Sequence, residues 1–331
     1  MSELPADPRE SPLHPRYEKA LLGHGAVMAQ FAATLSSGRP HHAWLITGPR
    51  GIGKSTFAYQ AARHVLASGA SQEKSDRLVF NRAHPDLAVL QCAMADSKAA
   101  RLKSEISVED ARAFMELFSQ TASGGGWRVG LVDCADDLTR EAANALLKLV
   151  EEPPANSLLF IINHQPGKLL RTLRSRCRRL PLSPLPSAAV LDVLEALSWE
   201  ERPSREALQQ AASLSGGSPG RAIELVSSEG ARAFAEVLKR PGLDAASRQD
   251  ISNFFVNHAT LSSDYRIFME LFLDWLARSA IEEPQSKDAV ARAQVYGRLQ
   301  NRTIEVESYN LDRRVAVMEA LSSLQQALKV A

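Results

Sequence analysis

Residues 48–56 read Gly-Pro-Arg-Gly-Ile-Gly-Lys-Ser-Thr and follow the apolar run Ala43-Trp44-Leu45-Ile46 after a single residue, Thr47. This is the G-x-x-x-x-G-K-[ST] pattern of a phosphate-binding loop. Glycines at 48, 51 and 53 let the backbone turn tightly, so that successive amide N–H groups converge on one anion. Lys54 supplies a cation for the β- and γ-phosphates, Ser55 a hydroxyl ligand for Mg²⁺, and Thr56 opens the helix that follows. The stretch from Phe57 to Leu66 reads as that helix, with its positive N-terminus facing the phosphates. Strand, loop and helix in this order are the context the motif needs. They predict ATP with Mg²⁺ as the ligand.

The rest of the first half extends the same layout. Candidate strands fall at Trp44–Thr47, Leu87–Leu90, Val129–Asp133, Leu158–Asn163 and Arg179–Leu182, with helices at Thr56–Leu66, Val108–Leu117 and Thr139–Glu151 between them. Such alternation predicts an α/β domain built on a mostly parallel sheet covered on both faces. Ser107 with Asp110 predicts a capped start for the second helix, and the polar tract Ala67–Asp76 reads as a loop. After Pro181, Pro184 and Pro186 the strand signals stop, and short helices follow at Ala188–Leu197 and Arg205–Leu214. Ser218 suits an N-cap and Pro219 the first helical position. A further helical unit is expected from Pro241-Gly242 onward. In it Ile267, Phe268, Leu271, Phe272, Trp275 and Leu276 form a packing face, as do Val317, Leu321, Leu324 and Leu328. The predicted domains are therefore 1–182, 183–240 and 241–331, in keeping with a chain of 331 residues.

Composition narrows the partners. Lys and Arg number 39 against 38 acidic residues, so no general basic field drives nucleic-acid binding and any such contact must be local. Cys92, Cys134 and Cys177 lie too far apart for a metal-ligand spacing or a disulfide framework. Neither a membrane-spanning run nor a signal-peptide pattern is apparent, which predicts a cytoplasmic protein.

The second chemical element is Arg128-Val129-Gly130-Leu131-Val132-Asp133, a strand ending in a carboxylate that can hold the Mg²⁺ bridging the phosphates. Hydrolytic phosphate-loop proteins usually place a glutamate next, where it orients the attacking water. Here the residue is Cys134, and loss of such a group lowers rates by roughly 10²–10⁴. Asp136 and Asp137 are expected to project in other directions. The chain reads as able to hold nucleotide and badly equipped to cleave it.

The third element is Leu173-Arg174-Ser175-Arg176-Cys177-Arg178-Arg179. On composition alone it is a solvated basic patch or a DNA-backbone contact. In order with the phosphate loop, the strand ending at Asp133, and Asn144-Ala145-Leu146-Leu147-Lys148-Leu149-Val150-Glu151-Glu152-Pro153-Pro154, it resembles the AAA+ clamp-loader subunits of bacterial DNA polymerase III. The segment His41–Gly48 and the triplet His84-Pro85-Asp86 carry the same resemblance, which spans about residues 20 to 225. Motor subunits (gamma or tau) have aspartate-glutamate where this chain has Asp133-Cys134, so the pattern is similar to the delta' type.

The resemblance implies an AAA+ domain, a small helical lid and a C-terminal all-α collar, the last forming a ring with gamma/tau and delta subunits. That assembly uses ATP to place the sliding clamp on primer-template DNA. Arg176 is implied to act in trans as an arginine finger on a neighbour's γ-phosphate, an effect worth roughly 10³–10⁵ in related systems. Asn163 and Arg221 correspond to two sensors of the γ-phosphate. Many relatives carry a four-cysteine zinc module between the phosphate loop and His84, and this chain has no cysteine there, so no zinc is expected. Bound ATP would be structural, with weak or no ATPase activity in the isolated chain. Two other readings stay open: an active motor ATPase in which Asp136 replaces the glutamate, and an unrelated phosphate-loop kinase.

Overall fold

The computed structural model describes residues 13–18, 20–36, 40–67, 71–96, 101–120, 122, 126–165, 167–199, 201–239, 262–282, 287–309 and 311–330. The chain divides into two compact units, Met1–Arg221 and Ala222–Ala331.

In the first unit the order is α1 (Gly25–Ser36), β1 (Ala43–Thr47), α2 (Lys54–Leu66), α3 (Gln72–Phe80), β2 (Leu87–Leu90), β3 (Met94–Asp96) and β4 (Arg101–Leu102). It continues with α4 (Val108–Ser119), β5 (Arg128–Val132), α5 (Arg140–Glu151), β6 (Ser157–Asn163), α6 (Arg171–Ser175) and β7 (Arg178–Pro181). Helices α7 (Ser187–Ala196) and α8 (Arg205–Leu214) follow, and α9 (Pro219–Ser227) begins at the unit's end. The five expected strands form one sheet in the order β2-β5-β6-β1-β7, with every pairing parallel. A short antiparallel pair, β3 with β4, stands outside it.

Side chains alternate across a strand, and both faces of this sheet are filled. Trp44 and Ile46 of β1, with Leu158, Phe160 and Ile162 of β6, pack on one side against Phe31 of α1 and Phe57, Ala61 and Val65 of α2. Ala43 and Leu45, with Leu159 and Ile161, pack on the other against Phe114 and Phe118 of α4 and Leu146 of α5. A sheet buried on both faces needs near-continuous apolar strands, and β6 (Ser-Leu-Leu-Phe-Ile-Ile-Asn) is buried at every position. This is the expected α/β layout, helices following strands on both sides of a parallel sheet.

Local signals explain the helix starts. Ser107 and Asp110 form the expected capping box: the Asp110 N–H donates to Ser107 Oγ at 3.2 Å, and the Ser107 N–H donates to Asp110 Oδ2 at 3.0 Å. The loop expected over Ala67–Asp76 is instead interrupted by α3, capped by Ser71, whose hydroxyl accepts from the Lys74 N–H. Its buried stripe is Ser75 and Val79, one of them polar, so hydrophobic periodicity did not reveal it.

The second unit holds α10 (Glu229–Lys239), α11 (Ser262–Glu282), α12 (Lys287–Ser308) and α13 (Arg313–Val330). The expected packing face on α11 is buried at Ile267, Phe268, Leu271, Phe272 and Leu276, and that on α13 at Val317, Leu321 and Leu324. The side chain of Leu328 and the boundary near Pro241-Gly242 lie outside the described residues. Among the described residues no helix is long and apolar enough to cross a membrane.

Candidate nucleotide-binding site

Strands β1, β5 and β6 run parallel, so the segments leaving their C-terminal ends share one edge of the sheet, the edge where open α/β folds bind ligands. The phosphate loop leaves β1, Asp133 follows β5, and Asn163 closes β6. Sequence-distant residues thereby meet.

Backbone geometry in the loop requires glycine. Gly48 has φ +145°, and a Cβ there would lie 2.4 Å from the Leu182 carbonyl oxygen. Gly51 has φ +78°, and a Cβ there would meet Ser218 Oγ at 2.4 Å. Gly53, at φ +98°, turns the chain into α2. Lys54 is 3% exposed, and its ammonium donates to the carbonyls of Gly48 (2.7 Å) and Pro49 (2.5 Å). Burial pushes its pKa down from 10.5 to about 8, and the nearby Asp136, Cys134 and Asp133 oppose the fall.

Ser55 Oγ donates to Asp133 Oδ2 at 2.9 Å. Burial raises the Asp133 pKa, against the Ser55 hydrogen bond and the Lys54 charge. A hydroxyl oxygen and a carboxylate set together on the floor of a phosphate loop suit a hard cation with oxygen ligands. Asn163 is fully buried, and its Oδ1 has no hydrogen-bond partner. An unfilled acceptor beside Asp136 suits a water or ligand donor at that point. These residues fit Mg²⁺-nucleotide: Gly48, Gly51, Gly53 and Lys54 could hold phosphate, and Ser55 and Asp133 the metal. Thr56 occupies the first turn of α2.

One expectation is overturned. Asp136 does not point away, because the turn Ala135–Asp137 brings its carboxylate back into the site. Its oxygens accept from the Cys134 thiol (3.0 Å), Asn163 Nδ2 (3.0 Å), and the N–H groups of His164 (2.6 Å) and Gln165 (2.7 Å). Burial alone would raise its pKa, yet the thiol and the two backbone N–H donors hold it below the ordinary carboxylate value. Cys134 is buried, and burial with the Asp136 hydrogen bond drives its thiol pKa far up.

Three contacts that support the loop carried no local sequence signal. His24 Nε2 is 2.8 Å from the Ile52 carbonyl oxygen and supports the loop from 28 residues away. The Gly220 N–H donates to Gly51 O at 2.8 Å, and Ser218 Oγ donates to Arg50 O at 3.1 Å. Ser218 also accepts from the Arg221 N–H at 3.2 Å, as the expected cap, which seats the start of α9 and Arg221 against the phosphate loop.

Arg176 lies elsewhere. It closes α6, just before β7, and β7 pairs in register with β1, Trp44 opposite Arg178 and Thr47 opposite Pro181. Arg176 is thus level with the start of β1, while the phosphate loop begins past its end. The separation along the strand is on the order of 15–20 Å, beyond one side chain. Its guanidinium is 2.9 Å from Glu151 Oε1 and donates to the Thr172 carbonyl at 3.1 Å.

Comparison with known proteins decides the family. The model of the DNA polymerase III delta subunit matches residues 23–186. DNA polymerase III subunit delta' of Pseudomonas aeruginosa is 35% identical over 240 residues, covering 71% of this chain and 70% of the relative. The chain belongs to the DNA polymerase III delta' family. The delta' subunit of Escherichia coli K12 is 37% identical over 202 residues (59% of this chain, 58% of the relative), and that of Yersinia pestis 33% over 263 (76% and 74%). In this delta' family chain the carboxyl nearest Asp133 in sequence, Asp136, accepts four hydrogen bonds, one of them from the Cys134 thiol.

Proposed function

We propose that this clamp-loader subunit is a stator: it lends Arg176 in trans to an ATP site on an adjacent gamma/tau motor subunit and turns over little ATP itself. The placement of Arg176 carries the reading. A guanidinium at the opposite end of β7 from the chain's own phosphate loop serves no phosphate bound there, and it is nearly half exposed for a partner. Arginine suits the task because it stays charged and its planar fork matches phosphate oxygens.

The chain's own site favours holding over cleaving. A general base needs a free lone pair and a pKa near the working pH. Asp136 has its oxygens engaged and its pKa depressed, and Cys134 is a buried neutral thiol. These two facts weigh against the motor reading. When bound, Mg²⁺-ATP would bring the phosphate charge that Lys54 and the loop N–H groups neutralise, with Ser55 and Asp133 on the metal. Asn163 would offer its free Oδ1 near the γ-phosphate end, and Arg221 would read the γ-phosphate from the lid. The domains would be the nucleotide-binding domain 1–182, the lid 183–240 and the collar 241–331, the last joining the gamma/tau and delta subunits. Through that ring the chain acts on the sliding clamp and primer-template DNA in the cytoplasm.

Hydrolysis by the purified chain alone, beside a motor subunit under identical conditions, tests the stator reading. The expected rate is negligible, with ATP binding lost in Lys54→Ala. Turnover comparable to the motor subunit would refute it.

A further inference from the structure

The end of β5 and the end of β6 meet in a second donor set that phosphate binding does not use. One ligand atom each from Cys134, Asp136 and His164 lies within 4.8 Å of the others. The thiol is 8% exposed and sits 3.0 Å from Asp136 Oδ2. The His164 ring nitrogen Nδ1 is buried and has no hydrogen-bond partner. A buried imidazole nitrogen without a partner is costly unless something fills its lone pair or takes its proton.

We propose that Cys134, Asp136 and His164 form a binding site for a soft divalent cation of the Zn²⁺ class. Thiolate, imidazole and carboxylate together are the ligands this class prefers, and three protein ligands leave a fourth position open. Tetrahedral bonds of about 2.0–2.3 Å place neighbouring donors about 3.5 Å apart, so the three atoms need close by only about an ångström. Binding forms the metal–sulfur, metal–nitrogen and metal–oxygen bonds and releases one proton, that of the Cys134 thiol, to solvent. No oxidant or reductant is involved. Affinity therefore rises with pH.

Two features hold the ligands in place. Asp136 is fixed by the N–H groups of His164 and Gln165 and by Asn163 Nδ2, so the carboxylate is oriented before the metal arrives, and loss of the Cys134 thiol proton frees a position on Oδ2 for it. The Lys54 charge lies close enough to act on both Asp136 and His164. It disfavours a bare cation and favours one whose fourth position carries an anionic oxygen. The site is separate from the four-cysteine module of many relatives, for which this chain has no cysteine between the phosphate loop and His84.

Co²⁺ titrated into the full chain reports the site, because a cobalt–thiolate bond gives a charge-transfer band in the near ultraviolet. One equivalent of band intensity is expected, displaced by Zn²⁺. The band should vanish in Cys134→Ser, weaken in His164→Ala, and persist in Cys92→Ser and Cys177→Ser. Circular dichroism of Cys134→Ser establishes that the variant is folded. Absence of the band in the wild-type chain, its survival in Cys134→Ser, or its loss in Cys92→Ser or Cys177→Ser would each overturn the assignment.

Discussion

Replacing Lys54 by methionine should make the folded chain more stable near neutral pH while abolishing its binding of ATP. Lys54 has an ordinary pKa of 10.5 and a folded-state value of about 8, lowered first by burial. Its charged form is therefore disfavoured in the fold by roughly 3 kcal/mol, at 1.36 kcal/mol per unit. That penalty is present in full below pH 8, where folded and unfolded chains are both protonated. It shrinks as pH rises from about 8 toward 10.5, where only the unfolded lysine keeps its proton, so stability from this group increases with pH. Methionine removes the charge and the penalty, and it strands the carbonyls of Gly48 and Pro49, which lose their donor at about 1 kcal/mol each. The net gain is about 1–2 kcal/mol, or about 2–6 °C in Tm. Urea denaturation of wild type and Lys54→Met near pH 7 and near pH 9.5 measures it, the gain disappearing at the higher value. A variant less stable near pH 7, or a difference independent of pH, would refute the reasoning.

Removing the Glu151 carboxylate as Glu151→Gln releases Arg176 from an exposed ion pair, and such pairs are worth about 0.2–1 kcal/mol. Thermal unfolding should be unchanged within that amount, and ATPase of the reconstituted clamp loader should rise up to about fivefold; a fall in rate would show that Glu151 positions the finger rather than restraining it. Ser218→Ala removes the cap of α9 and the bond to Arg50 O. Urea denaturation should register a loss of about 1–2 kcal/mol, and an unchanged midpoint would count against the role assigned to Ser218.

Most of the sheet could be read from the sequence because its strands are largely apolar runs with a turn or cap after them, as Leu158–Ile162 and Val129–Val132 show, while β7 (Arg-Arg-Leu-Pro) is mostly exposed. Where the stripe on a helix included a polar residue, as Ser75 does on α3, the signal failed. In the site, the contiguous motif Gly48–Thr56 was legible, and Asp133 and Asn163 were placed by their strand ends. His24, His164 and the return of Asp136 were not. Each depends on a turn or on pairing between strands far apart in sequence, and no local pattern encodes which way the Asp136 side chain faces after the turn at Ala135–Asp137. The carboxylate's neighbours, not its position in the chain, decide that it is a hydrogen-bond hub.

Reconstitution with motor and delta subunits, comparing wild type with Arg176→Ala, addresses the trans role most directly. Loss of an arginine finger lowers turnover by roughly 10³–10⁵ at the site it serves, so steady-state ATPase and clamp loading should fall sharply while the complex still assembles on gel filtration. Wild-type ATPase and clamp loading from the alanine complex would contradict the account.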